Sequence, residues 1–423
     1  MQYAQMCKAE LEQEYNALTE QFQMCKALNL NLNMSRGKPS KIQLDISNEL
    51  LQCIDDTDCV IDGVDVRNYG EISGLPCAKA YWADVLGCKP EQVFVGGSSS
   101  LNLMYDVISR AYTHGLLHST QPWCKEVKIK FLCPSPGYDR HFLVTQTFGA
   151  ELITVPMTAT GPDMDLVEEL VKDPQVKGIW CVPKYSNPDG IIYSDDTIRR
   201  FASLNPAASD FVVMWDNAYS VHEFEGDYVP FPDIFALAKE YGNEDMFVEF
   251  ASTSKITFAG AGISAAVMSE ANIAYFTKLM NVQTISFDKI NQLRHVRFLK
   301  NKANTIALMK RQAKIVGPKF KVVADMLDEQ IKPLGIAQWN RPKGGYFISF
   351  NTMPGTAKRA LALCQEAGVV FTPAGATFPY GVDPEDSNIR LAPSFPPVEE
   401  LVQGMRVFCT CVKLAALEKL LSK

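Results

Sequence analysis

The sequence has no apolar run long enough to span a bilayer and no long block of lysine and arginine. Its formal net charge is -7 at pH 7, which argues against a nucleic-acid partner, since such a partner selects a basic surface. Residues 1–22 are acidic and amphipathic, unlike a secretory signal. We therefore expect a cytoplasmic protein with no nucleic-acid or membrane partner.

The chain also lacks the cysteine spacing of a metal site. Its 12 cysteines are scattered, and Cys409 and Cys411 form a single C-x-C motif inside a helical pattern. A zinc site needs paired C-x-x-C motifs, or one such motif with a histidine pair. Cys133 and Cys181 lie in apolar, strand-like runs, where thiols are usually buried. We expect free, mostly buried thiols and no metal.

Short apolar runs alternate with helical patterns through the middle of the chain. Six of these runs lie at residues 91–97, 128–136, 151–157, 178–184, 211–217 and 246–252. Continuous apolar strands separated by helices predict a mostly parallel sheet that is covered on both faces. After about Ala307 the pattern changes to a long helix, short strands and a final helix from Val398.

A chain of 423 residues usually divides into two domains. We therefore predict an α/β fold with a large domain over residues 50–305, built on a mostly parallel sheet of the seven-stranded type between helices. A smaller α+β domain would combine the N- and C-terminal segments, residues 1–49 and 306–423.

Polar clusters stand at the carboxyl ends of five predicted strands. In open α/β sheets, ligands bind in the crevice outside those ends. One cluster could arise by chance, but five indicate one assembled site. In chain order the clusters contain Ser98, Ser99 and Ser100; Tyr138; Asn187; Asp216 and Tyr219; and Ser252, Ser254 and Lys255.

The segment from Gly96 to Ser100 precedes a good helix. Glycines allow close backbone approach, and a helix N-terminus offers unpaired N–H groups and a positive dipole, so the segment suits a phosphate. An ordinary tight turn with a serine N-cap explains the same residues equally well. The segment lacks the G-x-x-x-x-G-K-[ST] pattern of nucleotide-binding loops.

Asp216 and Lys255 each have two interpretations. Asp216 ends a very apolar strand, where a carboxylate either caps a turn or is the buried partner of a cation such as a pyridinium nitrogen. Lys255 follows small hydroxyl residues and precedes glycines, which suits a side chain that enters a crowded pocket. An exposed loop lysine is the common alternative. A nucleophilic lysine would need a lowered pKa.

Four motifs in this order resemble those of the fold-type I pyridoxal-phosphate enzymes, and within them the class I aminotransferases. They are residues 184–190 (KYSNPDG), 216–219 (DNAY), 252–255 (STSK) and 388–391 (NIRL). The resemblance runs from about Arg36 to Pro396 and looks strongest toward a bacterial aspartate aminotransferase subgroup. Each motif is weak alone, whereas the ordered set is specific.

The resemblance implies a role for each matching residue. Pyridoxal 5'-phosphate would be the cofactor, and Lys255 would form the internal aldimine and shuttle the proton of a transamination. Asp216 would pair with the pyridinium nitrogen, and Tyr138 would stack on the ring. Asn187 and Tyr219 would hold the ring hydroxyl oxygen, and the serines Ser98, Ser99, Ser100, Ser252 and Ser254 would surround the phosphate.

The resemblance also implies a homodimer with shared active sites, in which Tyr69 reaches the phosphate of the neighbouring subunit. Arg390 would grip the substrate α-carboxylate as a bidentate fork, with Asn187 and Gly37 beside it. The substrates would be an amino acid, with aspartate first, and a 2-oxo acid, with 2-oxoglutarate first.

Two departures from the family pattern concern cations. The family has an arginine about two turns after the lysine that clamps the phosphate, whereas residues 258–263 contain none. The arginine that binds a substrate's side-chain carboxylate is also not obvious, and Lys289 or Arg294 lies near its expected position. The second departure weakens the assignment to aspartate but not the assignment of the cofactor.

Three functions remain open from the sequence. The first is transamination, the second is a lyase or β-elimination reaction on the same cofactor, and the third is a regulatory module that binds the cofactor without catalysis. A fold alone does not separate them, because one fold hosts many chemistries. We favour transamination because the whole set of motifs is present.

Overall fold

The computed structural model describes residues 2–422 and contains thirteen α-helices in that range. They are α1 (Lys8–Ala27), α2 (Lys41–Asp45), α3 (Pro76–Leu86), α4 (Ser100–Thr113), α5 (Asp139–Thr147), α6 (Met164–Leu170), α7 (Asp195–Ala202), α8 (Ile234–Lys239), α9 (Glu270–Gln283), α10 (Lys289–Leu299), α11 (Lys302–Gln330), α12 (Ala357–Glu366) and α13 (Val398–Leu421). None of the helices in this part of the chain is long and apolar enough to cross a membrane.

Fifteen strands lie between residues 2 and 422. They are β1 (Leu32–Asn33), β2 (Val60–Ile61), β3 (Val64–Asp65), β4 (Val93–Gly96), β5 (Lys130–Ser135), β6 (Glu151–Thr158), β7 (Gly161–Pro162), β8 (Val176–Cys181), β9 (Val212–Asp216), β10 (Phe247–Ser252), β11 (Ser264–Val267), β12 (Ala337–Trp339), β13 (Ile348–Thr352), β14 (Val369–Val370) and β15 (Asn388–Leu391). A short 3-10 turn, Thr253–Lys255, follows β10 directly.

One large sheet organises the middle of the chain. Its eight strands have the order β4-β11-β10-β9-β8-β5-β6-β7. The five strands from β10 to β6 run parallel to one another, as predicted from the apolar runs. Strand β11 is antiparallel to both β10 and β4, and the two-residue β7 adds an eighth strand at the far edge. The α/β prediction is therefore confirmed, with eight strands instead of seven.

Both faces of this sheet are buried, because side chains of opposite parity along each strand enter two different clusters. In β9, Val213 and Trp215 pack into one apolar cluster, whereas Val212 and Met214 pack into the other. A strand with two buried faces needs a continuous apolar sequence, which is why the runs show no polar alternation. Apart from residues such as Glu249 inside β10, the polar clusters stand at the strand ends, and their position there forms the site.

A second apolar core lies apart from the sheet clusters. It is formed by buried residues between Tyr3 and Met34 and between Val316 and Leu417. Here α1 packs against α13, β1 pairs with β14, and β12, β13 and β15 form a three-stranded antiparallel sheet. We propose that the two cores belong to the two domains expected over residues 50–305 and over 1–49 with 306–423. Helix α11 takes part in both, because Leu308 and Met309 pack in the first core.

Three sequence expectations need correction. The long helix of the C-terminal half begins at Lys302 and continues through Pro318, whereas the change of pattern was placed at about Ala307. Strand β11 was not predicted, because three of its four residues, Ser264 to Ala266, are small and are not strong strand formers. All 12 cysteines are free, but only six are buried, so "mostly buried" was too strong.

Candidate active site

Four neighbouring parallel strands bring the predicted residues to one edge of the sheet. Strands β10, β9, β8 and β5 lie side by side, and their carboxyl ends lead to Lys255, Asp216, Asn187 and Tyr138 in that order. The serine segment follows β4, which is separated from β10 only by the antiparallel β11. The sheet order therefore places all five polar clusters at one edge.

Asp216 is a buried carboxylate with one unsatisfied oxygen. Its residue is 5% exposed, and Oδ2 lies 3.0 Å from Nε2 of His141. His141 is itself buried and stacks on Trp180, with ring centroids 4.5 Å apart, which fixes the imidazole plane. Oδ1 of Asp216 has no hydrogen-bond partner among residues 2–422. A buried carboxylate oxygen is stable only when it is paired, so the position suits a cationic N–H group.

Lys255 points into an aromatic pocket beside that carboxylate. Its Nζ lies 4.9 Å from the ring centre of Tyr219 and 5.9 Å from that of Tyr346. Burial lowers the pKa of the Lys255 amine, and the negative charge of Asp216 opposes this effect. A lower pKa increases the fraction of neutral amine, which is the nucleophilic form. The loop-lysine alternative is therefore not what the structure shows.

A buried polar network contacts the backbone carbonyl oxygens of Lys255 and Ile256. Nε2 of Gln43 donates to the hydroxyl of Tyr346 at 3.1 Å, and that hydroxyl lies 3.5 Å from the carbonyl oxygen of Lys255. Gln312 donates to the carbonyl oxygen of Ile256 at 2.7 Å. These residues could not be predicted from the sequence, because an isolated glutamine or tyrosine carries no local signal of such a role.

The serine segment is arranged as a cradle of N–H donors. Ser264 Oγ donates to the carbonyl oxygen of Gly97 at 2.8 Å, and Ser254 Oγ donates to that of Ser98 at 3.0 Å. In a planar trans peptide the N–H points away from the carbonyl, so the N–H groups of Ser98 and Ser99 point away from these serines. These two N–H groups find no acceptor among residues 2–422.

The N-cap interpretation of the serine segment is confirmed, whereas its binding of a phosphate stays a prediction. Ser99 is the N-cap of α4, since its Oγ accepts a hydrogen bond from the backbone N–H of Leu101 at 3.2 Å. Ser100 begins the helix, where the first-turn N–H groups lack intrahelical acceptors. Ser252 donates to Ser254 at 3.2 Å, which ties the end of β10 into the same cluster. The cradle suits a phosphate group.

Arg390 lies in β15 at the other side of the pocket. Its Nη1 is 3.0 Å from Oδ1 of Asp139 and 3.4 Å from Oδ1 of Asn187, and Nε is buried without a partner among the described residues. Its guanidinium covers the ring of Phe347 at 4.9 Å. A Cβ at Gly37 would lie 2.5 Å from that ring, so Phe347 requires a glycine there. Asp139 was not anticipated from the sequence.

The remaining three predicted residues are Tyr69 and two cations of α10. Tyr69 is 78% exposed. Lys289 is buried and donates to the carbonyl oxygen of Gly70 at 3.1 Å, and Arg294 donates from Nε to Asn291 at 2.8 Å. No hydrogen bond among residues 2–422 joins these side chains to Lys255 or Arg390. Their roles in substrate or cofactor binding stay predictions.

Known proteins match the chain over nearly its full length. The aspartate amino-transferase family model matches residues 6–423. An aspartate aminotransferase of Corynebacterium glutamicum is 48% identical over 402 residues, covering 95% of this chain and 93% of the relative. The crystal structure of an aspartate transaminase from the same species superposes with a TM-score of 0.95 at 46% identity, covering 97% of both chains.

A more distant structure shares the fold. It is an α-aminoadipate aminotransferase of Thermus thermophilus, complexed with N-(5'-phosphopyridoxyl)-L-leucine, with a TM-score of 0.74 at 21% identity and coverage of 92% of this chain and 93% of that one. The fold and the matches define the class as that of the fold-type I aminotransferases. Within it, the chain belongs to the aspartate amino-transferase family. The predicted family resemblance and the transferase class are confirmed.

Next to Asp216, Asn217 donates from Nδ2 to Oε1 of Glu249 at 2.7 Å. Glu249 is buried in β10, and burial raises its pKa from 4.5 to about 8. The folded chain therefore keeps a proton on Glu249 over a pH range in which the unfolded chain has lost it. By linkage, this group's contribution to stability is fully present below about pH 4.5 and is lost as the pH rises toward about 8.

We predict that Glu249→Gln flattens this pH dependence, because an amide keeps the hydrogen bond and cannot ionise. The free energy of unfolding of the variant, relative to the parent, should increase with pH by up to about 1.4 kcal/mol per pH unit. Urea unfolding at several pH values between about 5 and 8 measures it. An equal difference between variant and parent at every pH would contradict the raised pKa.

Proposed function

We propose that this aminotransferase uses pyridoxal 5'-phosphate to move an amino group from aspartate to 2-oxoglutarate. The observation that carries the proposal is that one pocket holds both the Lys255 amine and a buried oxygen of Asp216 that has no partner among residues 2–422. An aldehyde-bearing pyridinium ring matches both groups. The name of the Corynebacterium glutamicum relative supports aspartate, and the phosphopyridoxyl ligand of the Thermus thermophilus protein supports the cofactor.

The residues of the pocket fit each part of that cofactor. The N–H groups and hydroxyls of the serine cradle, Ser98, Ser99, Ser100, Ser252 and Ser254, would hold the phosphate. Asp216 would pair with the ring nitrogen, with His141 fixing its carboxylate. Tyr138 would cover the ring face, and Asn187 with Tyr219 would bind the ring hydroxyl. When bound, the cofactor supplies an electron sink for the negative charge that develops on the amino acid.

Lys255 has two tasks in this proposal. Its Nζ would hold the cofactor through the aldehyde carbon, and the same amine, when free, would take up and return the proton at the substrate α-carbon. A neutral amine is needed for both, which the lowered pKa favours. Asp216 keeps the ring nitrogen protonated, because a buried negative charge stabilises the neighbouring cation.

A half-reaction screen tests the reaction type. We expect aspartate alone to convert the holoenzyme's aldehyde form to the amine form, and 2-oxoglutarate alone to restore it, followed by the absorbance of the cofactor. Ammonia release without restoration by an oxo acid would assign a lyase instead. Binding without any conversion would assign a regulatory module.

We further propose a homodimer whose partner subunits share the two sites. Tyr69 supports it, since a tyrosine that is 78% exposed in one chain is available to a neighbouring copy. Mixing the inactive variants Tyr69→Ala and Lys255→Ala should restore activity, because one site of each mixed dimer would have both residues intact. A fully active species with the mass of a single chain would overturn the shared site.

Substrate carboxylates would be held at two ends. Arg390 would bind the α-carboxylate with the guanidinium positions that Asp139 does not occupy, and Gly37 leaves room for the Phe347 ring beneath it. Lys289 or Arg294, on α10, would bind the side-chain carboxylate, either in its own subunit or across the dimer.

We predict that variants at the two carboxylate-binding ends of the pocket change the substrate preference in different ways. In enzyme saturated with cofactor, Lys289→Ala or Arg294→Ala should weaken aspartate and glutamate by about 1.5–3 kcal/mol and leave alanine nearly unchanged, because a charged hydrogen bond is lost only with dicarboxylates. Arg390→Lys is the matched contrast, and it should impair every amino acid, since lysine has no bidentate fork. Apparent second-order rate constants measure both. Equal losses for aspartate and alanine in the α10 variants would remove Lys289 and Arg294 from side-chain recognition.

A further inference from the structure

The serine cradle contains only neutral donors. Residues 93–100 include no cation, and residues 252–264 include only Lys255, which is directed to the aromatic pocket. A phosphate in this cradle would therefore depend on how exactly the backbone N–H groups are aimed, because neither of these two segments brings a charged side chain to it. The segment that positions those groups is the turn from Phe258 to Ile263.

Helix α10 holds that turn through one side chain. Asn291 is buried, and its Nδ2 donates to the carbonyl oxygens of both Ala261 and Gly262, at 3.1 and 2.7 Å. Nε of Arg294 donates to Oδ1 of Asn291 at 2.8 Å. Arginine only donates and carbonyl oxygens only accept, so these partners fix the orientation of the amide.

The turn from Phe258 to Ile263 packs tightly against the cradle. A Cβ at Gly262 would lie 2.8 Å from Oγ1 of Thr253 and 3.3 Å from the backbone nitrogen of Ser254, which leaves no room for a larger residue. Thr253 and Ile263 exchange two hydrogen bonds, Thr253 N to Ile263 O and Ile263 N to Thr253 Oγ1, both at 2.9 Å. Ser254 and Ser264 on the two sides of the turn then hold the carbonyls of Ser98 and Gly97.

Helix α10 is itself well fixed at this end. Asp288 caps it by accepting from the N–H of Asn291 at 2.9 Å. His295 contacts the carbonyl oxygen of Asn291 at 2.7 Å and Oγ1 of Thr257 at 2.9 Å, which ties the helix to the segment just after Lys255. Asn291 thus joins a rigid helix to the turn behind the cradle.

We propose that Asn291, oriented by Arg294, is a positioning residue for the phosphate group of the cofactor. It acts through the turn at Ala261 and Gly262, which sets the serines that aim the N–H groups of Ser98 and Ser99. The inference rests on the proposed function. It assigns to α10 a task at the phosphate end that is separate from any contact with the substrate.

The test compares two aldehydes on the full-length apoenzyme: pyridoxal 5'-phosphate, and pyridoxal, which lacks the phosphate. In Asn291→Ala, the Kd of pyridoxal phosphate should rise about tenfold or more, whereas that of pyridoxal should change by less than about twofold, because only the phosphate uses the cradle. Arg294→Ala should show the same selective loss to a smaller extent, since it frees the amide without removing it. Arg297→Ala is the matched control on the same helix, where Arg297 pairs with Asp58.

Each outcome decides something. Equal weakening of both aldehydes in Asn291→Ala would show a general loosening of the pocket and overturn the proposal, as would unchanged affinity for both. If Asn291→Ala does not fold, the selectivity of Arg294→Ala against Arg297→Ala decides in its place. A parent enzyme that binds neither aldehyde at Lys255 would refute the proposed function itself, which is a different result from any change in selectivity between variants.

Discussion

The arrangement of the site depends on one buried carboxylate. Asp216 ends the central strand β9, and a carboxylate in that position has lost its hydration without gaining a full set of partners. Burying an unpaired charge costs several kcal/mol, so the surrounding structure must offset the cost or a ligand must do so. His141 contacts Oδ2 of Asp216, whereas Oδ1 has no partner among residues 2–422. A cation bound at Oδ1 would therefore stabilise the buried carboxylate.

The other parts of the pocket follow from where the sheet puts them. Parallel strands end at a common edge, so β10 and β8, the neighbours of β9, present Lys255 and Asn187 on the two sides of Asp216. The C-terminal part of the chain then closes the pocket, since Arg390 reaches Asn187 from β15 and Tyr346 reaches the backbone of Lys255. A carboxylate, an amine and a guanidinium are brought together by elements that are each held by apolar packing elsewhere.

The sequence predicts the strands of the sheet better than the hydrogen bonds between residues that are distant in the chain. Strands buried on both faces are unbroken apolar runs, so six strands and the polar residues after them were visible locally. The partners of those polar residues were not, because they are distant in the chain: His141 pairs with Asp216 across 75 residues, and Gln43 pairs with Tyr346 across 303. Asp139 beside Arg390 escaped notice for the same reason, and β11 was missed because small residues give no strand signal.

Reduction of the native holoenzyme with borohydride, followed by peptide mapping, tests the central claim most directly. The reagent fixes a cofactor–lysine link as a stable amine, so its position in the chain can be read by mass. The account predicts that the label lies on Lys255, in the segment from Ser252 to Gly262, and on no other lysine. A label on a different lysine, or none at all on an enzyme that is active with added cofactor, would contradict it.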